Sequence, residues 1–216
     1  MQEAKLNTAR GQKHDVALDL HLQGLCFNDT PILGEIVLTL KTTETLALVG
    51  PSGAGKTSLL RIIAGLETRY RGTCSVSGRV AMVFQEPTLL PWRTVLENLT
   101  IPTRISRDKA LDALADVGLM GREGDFPAHL SLGQQRRLSL ARAFAVEPDL
   151  LLMDEPFVSL DPKLVEEMMA LFTKLCSKHN VTTIFVTHAE AEVARLASRI
   201  VRMDGTPACF ISDSVA

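Results

Sequence analysis

The stretch that most limits what this chain can fold into is Gly50-Pro51-Ser52-Gly53-Ala54-Gly55-Lys56-Thr57. It fits G-x-x-x-x-G-K-[ST], a pattern that makes a phosphate-binding loop when it joins a buried strand to a helix. Both flanks are present. Thr45-Leu-Ala-Leu-Val49 reads as the strand, and Ser58-Leu-Leu-Arg-Ile-Ile-Ala64 as the start of the helix. Gly50, Gly53 and Gly55 admit backbone angles that a Cβ would block, so the amides can turn toward an anion, and the helix N-terminus adds partial positive charge there. In that geometry Lys56 reaches the β- and γ-phosphates and the Thr57 hydroxyl binds Mg2+. The competing reading, a glycine turn that happens to carry Lys-Thr, does not account for the flanks.

The rest of the chain supplies alternating elements. Val16–Leu22 alternates apolar and polar residues like a half-buried strand, Phe27–Pro31 reads as a turn, and Gly34–Leu40 resumes strand character. Thr73–Val76 and Val80–Phe84 read as strands joined at Ser77-Gly78, with Gln85 directly after the second. Thr94 and Glu97 predict a capped helix that Pro102 interrupts, and Arg107–Val117 is amphipathic, with Ala110, Leu111, Leu114 and Val117 on one face. A helix through Phe144, a buried strand Leu150–Met153, a helix to about Lys178, a strand Val181–Val186, a helix Ala189–Ala197 and strands from Arg199 onward complete the pattern. The expectation is an α/β fold with a mainly parallel sheet, an N-terminal antiparallel β part and a helical subdomain over about residues 86–135, within one domain spanning 1–216. Residues 1–15 read as a frayed polar lead-in.

Composition enters where it excludes classes. A formal charge of −2 offers no electrostatic footprint for nucleic acid. Apolar residues make up 46% of the 216, but no uninterrupted run approaches the roughly 20 needed to span a bilayer. The first ten residues hold no apolar signal core, so the expectation is a protein kept in the cytoplasm. Cys26, Cys74, Cys176 and Cys209 are scattered with no CxxC pair and read as free thiols.

Four positions outside the glycine loop carry candidate chemistry. Asp154, at the end of a buried apolar run, is placed to bind Mg2+ directly or through water. Glu155 follows it and can accept a proton from a water attacking a γ-phosphate. Gln85 offers an amide for Mg2+ and that water, and His188 an imidazole for the γ-phosphate. Each alone has a plainer reading: a loop-capping or solvated carboxylate, an ordinary strand-end glutamine, a structural histidine.

Together these residues resemble the ATP-binding subunit of ABC transporters, with a P-loop NTPase fold, over about residues 16–211. The phosphate loop is GPSGAGKT, Gln85 in VFQEPTLLPW matches the Q-loop, and LSLGQQ matches the family signature. Asp154-Glu155 matches the Walker B pair, Ser159-Leu160-Asp161 the D-loop and His188 the switch histidine. The signature and D-loop are particular to this family.

The resemblance implies nucleotide contacts from Gly50, Pro51, Ser52, Gly53, Ala54, Gly55, Lys56, Thr57 and Ser58, and from Phe27 stacking on adenine. It implies Mg2+ held by Thr57, Gln85 and Asp154, and catalysis by Glu155, His188 and Gln85. Two subunits, expected to be identical, would close head to tail around two ATP molecules, with Ser131, Gly133, Gln134 and Asp161 meeting the partner's nucleotide site. A transmembrane permease subunit, with or without a substrate-binding protein, is the implied partner, which would hold the chain at the inner face of the membrane. VFQEPTLLPWRTVLENL further resembles subunits of bacterial importers for nitrate, sulfonates and taurine.

Two departures stand out. Leu132 occupies a signature position that is usually glycine, and Ser77-Gly78-Arg79 replaces a longer hairpin and loop, where a trimmed surface is expected. Turnover is expected to survive Leu132, because Ser131, Gly133 and Gln134 remain. Two alternatives stay open at this point. One is a soluble ATPase of the same family acting on DNA or ribosomes, although the chain lacks the coiled-coil insertions or zinc modules such proteins carry. The other is a weakly active regulatory nucleotide-binding module.

Overall fold

The computed structural model describes residues 15–215; the lead-in expected over 1–15 lies, apart from Asp15, outside the described residues. The elements in chain order are β1 (Val16–Phe27), β2 (Thr30–Leu33), β3 (Ile36–Lys41), β4 (Thr45–Val49), α1 (Lys56–Ile63), β5 (Tyr70–Val76) and β6 (Val80–Val83). The helices α2 (Val95–Thr103), α3 (Arg107–Asp116) and α4 (Leu132–Phe144) follow, with a 3-10 turn at Pro127–His129. Then come β7 (Leu150–Asp154), α5 (Pro162–His179), β8 (Thr182–Val186), α6 (Glu190–Leu196), β9 (Arg199–Gly205) and β10 (Ala208–Val215).

Five strands make a parallel core in the order β9-β4-β8-β7-β6. Its central strands β7 and β8 are buried at every position because both faces are covered. Leu46 and Leu48 of β4, Leu150 and Leu152 of β7, and Ile184 and Val186 of β8 enter one core with α1 and the N-terminal strands. Ala47, Leu151, Met153 and Phe185 enter a second core with α4 and α5. Beyond β9, the sheet continues through antiparallel β10, and β1 carries β2, β3 and β5 as antiparallel partners. Burial alternates along β1 and β3, as a half-covered sheet requires.

Several local expectations change. The turn read at Phe27–Pro31 contracts to Asn28-Asp29, both at positive φ (47° and 63°), and Thr30–Leu33 pairs back onto β1. Two central residues at positive φ suit the twist of a tight hairpin, and Pro31 is tolerated near the end of a short strand that needs few ladder bonds. The strands β5 and β6 are consecutive but not partners: β5 pairs β1 and β6 pairs β7. The Ser77–Arg79 turn between them is docked rather than merely trimmed, since the Arg79 N–H donates to Asp149 Oδ2 at 2.6 Å. Pro102 sits in the last turn of α2 without ending it earlier, and β6 ends at Val83, so Gln85 lies in the following loop.

Candidate functional site

Parallel α/β sheets gather ligands at the C-terminal ends of their strands, and here four adjacent strand ends carry the candidate residues. The glycine loop follows β4, Gln85 follows β6, Asp154 ends β7, and His188 lies just past β8.

The loop leads into α1 through Gly55, which is left-handed at φ 74° and has no side chain to cap the helix. By contrast α2, α3, α4 and α5 are each capped by a side-chain oxygen, from Thr94, Ser106, Ser131 and Asp161. The first amides of α1 therefore remain available to an anion. Gly53 is also left-handed, at φ 81°, and a Cβ built there meets nothing within 4 Å, so the loop has open space in front of it. Lys56, 6% exposed, donates to the carbonyls of Gly50 (2.8 Å) and Pro51 (2.7 Å) and arches over the loop. Burial lowers its pKa, while Glu155 and Asp154 favour its charged form.

Behind the loop, Thr57 Oγ1 donates to Asp154 Oδ1 at 3.2 Å. Asp154 is buried, which raises its pKa against the opposing pull of the Thr57 hydroxyl. A hydroxyl and a carboxylate oxygen side by side form a hard-oxygen donor set of the kind Mg2+ prefers, so these residues fit the ion. Glu155, the next residue, leaves the strand at φ 47°. This reversal and the bond from its N–H to the Val186 carbonyl (3.1 Å) turn its side chain toward β8, where Oε1 lies 2.7 Å from His188 Nε2.

His188 is itself set by its neighbours. The Thr187 hydroxyl accepts from the Ala189 N–H at 3.0 Å and donates to the buried Glu192 carboxylate. Burial raises the Glu192 pKa. The sequence reading missed this pair; a Thr-His followed by Glu at helical spacing was the available signal.

Gln85 is exposed, and its backbone is what is gripped. The side chains of Arg136, Ser139 and Arg142, three residues apart on α4, donate to carbonyls of its loop. Arg136 Nη1 bonds the Gln85 carbonyl, Ser139 Oγ bonds Pro87 O at 2.8 Å, and Arg142 bonds Pro87 O and Thr88 O at 3.0 and 2.9 Å. Asn98 of α2, fully buried, accepts from Leu90 N at 2.7 Å and secures the loop's far end. α4 also carries Gln134, Gln135 and Arg137, so nothing in the sequence singled out these three residues or their target.

At the start of α4, Ser131 and Gln134 form a reciprocal capping box, with Ser131 Oγ accepting from Gln134 N and Gln134 Oε1 from Ser131 N (2.9 Å). Leu132 stands 43% exposed at the first helical position. Gly133 faces α5, where a Cβ would stand 2.8 Å from Leu164 Cδ2. Asp161 caps α5, accepting from Leu164 N at 3.1 Å. Among the described residues the hydrogen bonds of Ser131 and Gln134 stay within their own turn, apart from the glycine loop. Phe27, half-buried at the end of β1, carries the Arg69 guanidinium 5.4 Å from its ring centroid, so one ring face already has a cation over it. All four cysteines are free.

A family profile described as ABC transporter matches residues 33–158. A protein of Rhodococcus jostii (strain RHA1) named aliphatic sulfonates import ATP-binding protein SsuB 1 is 44% identical, over 86% of this chain and 78% of its own length. One of the same name from Agrobacterium fabrum is 40% identical over 94% of this chain and 76% of its own. Among solved structures, the ATP-binding cassette MJ0796, in a dimeric post-hydrolysis state bound to ADP and Pi, superposes with a TM-score of 0.79 at 27% identity. That match covers 92% of this chain and 98% of the other.

Proposed function

The chain belongs to the ABC transporter family and is the ATP-binding, ATP-hydrolysing subunit of a bacterial importer, and from that premise we propose which residues perform hydrolysis and what it drives. The observation that carries the assignment is the 2.7 Å pair of Glu155 and His188 at neighbouring strand ends, beside the Thr57–Asp154 contact and Lys56. Lys56 and the open amides of α1 hold the β- and γ-phosphates of ATP, with Pro51, Ser52, Ala54 and Ser58 shaping the same loop. Thr57 and Asp154, with Gln85, hold Mg2+, which supplies charge neutralisation on the phosphate oxygens. Glu155 Oε1 accepts the proton of the attacking water, and His188 Nε2 steadies both that carboxylate and the phosphate. Phe27 stacks on adenine through its free face.

A second nucleotide-binding subunit and a membrane permease are the partners of this importer subunit. We infer that Ser131, Gly133, Gln134 and Asp161 meet the nucleotide of the second subunit, that the helical segment over about 86–135 is a subdomain facing the permease, and that the pair of subunits is identical. A substrate-binding protein completes the importer, the work is done at the cytoplasmic face, and the cargo is an aliphatic sulfonate or a similar small nutrient anion. Cargo choice lies in the other subunits.

The test uses Glu155→Gln protein. It binds ATP, forms a dimer with ATP and Mg2+, and loses turnover by about a hundredfold or more, as removal of a general base does. Capture of that trapped form from native membranes yields a polytopic permease. A monomer with full ATPase activity refutes the assignment.

A further inference from the structure

Arg136 is a buried cation with no carboxylate in contact among the described residues. It is 5% exposed, and its hydrogen-bond acceptors are two backbone carbonyls, Gln85 O through Nη1 and Val158 O through Nη2 at 3.4 Å. Its Nε–H finds no partner among the described residues. Burial is the main influence on its pKa, which is lowered, and Glu86 acts on it only as a nearby charge. A desolvated guanidinium held by carbonyls alone is a poor stabiliser, because desolvating it offsets much of what its bonds return. Filling the same volume with an apolar side chain would serve the core at least as well. The reason to keep a planar, forked donor at this point lies in what it joins.

It joins three segments that sequence separates widely. Arg136 lies in the second turn of α4, five residues beyond Ser131 and two beyond Gln134. Gln85 opens the loop whose amide is assigned to Mg2+ and the attacking water. Val158 immediately precedes Ser159, at φ 63°, and Asp161, the cap of α5. Ser139 and Arg142 grip the same loop further on, at Pro87 and Thr88, but neither reaches the Val158 segment. Among the described residues, Arg136 alone ties the loop of its own subunit's site to two stretches assigned to the partner's nucleotide.

We propose that Arg136 is a positioning residue that locks Gln85, the start of α4 and the Val158–Asp161 segment into one body, so that engagement of a γ-phosphate at Gln85 is transmitted to the surface that closes on the second nucleotide. This inference rests on the residue roles of the proposed function above.

The experiment compares purified wild-type, Arg136→Met, Arg136→Lys and Gln85→Ala proteins and the Gln85→Ala/Arg136→Met double variant. It records thermal midpoint, affinity for a fluorescent ADP analogue, and ATP turnover. Arg136→Met is expected to keep its midpoint within about 3 °C, because a buried ion exchanged for an apolar chain is near neutral, and its ADP affinity within about twofold. Its turnover falls about tenfold, the signature of an interaction made beyond nucleotide binding. In the Gln85→Ala background the same substitution costs less than about twofold, because the two changes break one linkage. Arg136→Lys, with one charged donor and no fork, is expected between wild type and Arg136→Met, and it carries the test should the methionine variant not fold.

Turnover of both Arg136 variants within about twofold of wild type, or losses that add to those of Gln85→Ala, overturn the proposal. A fall in midpoint that parallels the fall in turnover also overturns it, reducing Arg136 to a packing role. A wild-type protein without ATPase activity would instead sink the functional reading, and the linkage with it.

Discussion

Leu132 gives the most discriminating prediction, because it departs from the family's usual residue on the surface proposed to meet the second subunit. Its side chain is 43% exposed at the first position of α4. Burying a whole leucine side chain is worth about 1.5–3 kcal/mol, so covering its exposed share is worth about 0.6–1.3 kcal/mol. Two copies in a symmetric dimer contribute about 1.3–2.6 kcal/mol, or about ten- to eightyfold in dimer dissociation constant. Leu132→Ala keeps the Cβ and the helix propensity, so it isolates the apolar contact. Sedimentation of Glu155→Gln protein with ATP and Mg2+, with and without Leu132→Ala, reads the difference directly. The expected result is a dimer weakened about tenfold, with wild-type protein hydrolysing ATP normally. An unchanged dimer constant refutes the argument by showing that the side chain meets nothing on closure. An ATPase rate raised about tenfold or more from near zero by Leu132→Gly refutes it from the other side, since the leucine would then obstruct closure.

Three further outcomes follow from the same structure. Gly133→Ala pushes a Cβ to 2.8 Å from Leu164 Cδ2; the leucine end has to move, and differential scanning fluorimetry should show a midpoint about 2–4 °C lower for about 1 kcal/mol of overpacking. An unchanged midpoint would mean that the Leu164 side chain turns aside at no cost. For the thiols, burial pushes Cys176 up to about 12 and Cys74 to about 11, whereas Cys26 is exposed. Iodoacetamide at pH 8 should therefore reach Cys26 first by peptide mass mapping, and equal labelling of Cys176 would contradict its burial. Lastly, the folded protein holds the Glu192 carboxyl above its ordinary pKa. A raised carboxyl disfavours its ionised form in the fold, so stability is lost as pH rises from the unfolded pKa through the folded one. Glu192→Gln, which can still accept from Thr187, should raise the midpoint at pH 8 and lose that advantage near pH 4; equal midpoints at pH 8 would show the carboxyl to be well solvated.

Much of the site was legible because its signals are local. The glycines of the 50–57 loop, the apolar runs before Asp154 and His188, and the Thr94 cap each act within a few residues of themselves. Their backbone consequences need no partner. The tight hairpin at Asn28-Asp29 was blurred because Pro31 looks like a breaker until a pairing strand is present. Gln85 looked like a strand end because Phe84 continues the apolar run past the last residue paired with β7.

The sequence by itself determined the phosphate loop, the parallel α/β class, the order of the motifs and the family they resemble. Apolar periodicity states which face of an element is buried, but not what covers it. The tertiary structure alone decided that β5 joins β1 while β6 joins β7, that Glu155 turns back to His188, and that Thr187 and Glu192 brace the histidine. It also decided that Arg136 reaches Gln85 and Val158, which lie 51 and 22 residues away along the chain. Such contacts depend on how helices and sheet pack after their faces are chosen, and that information belongs to the whole chain rather than to any window of it.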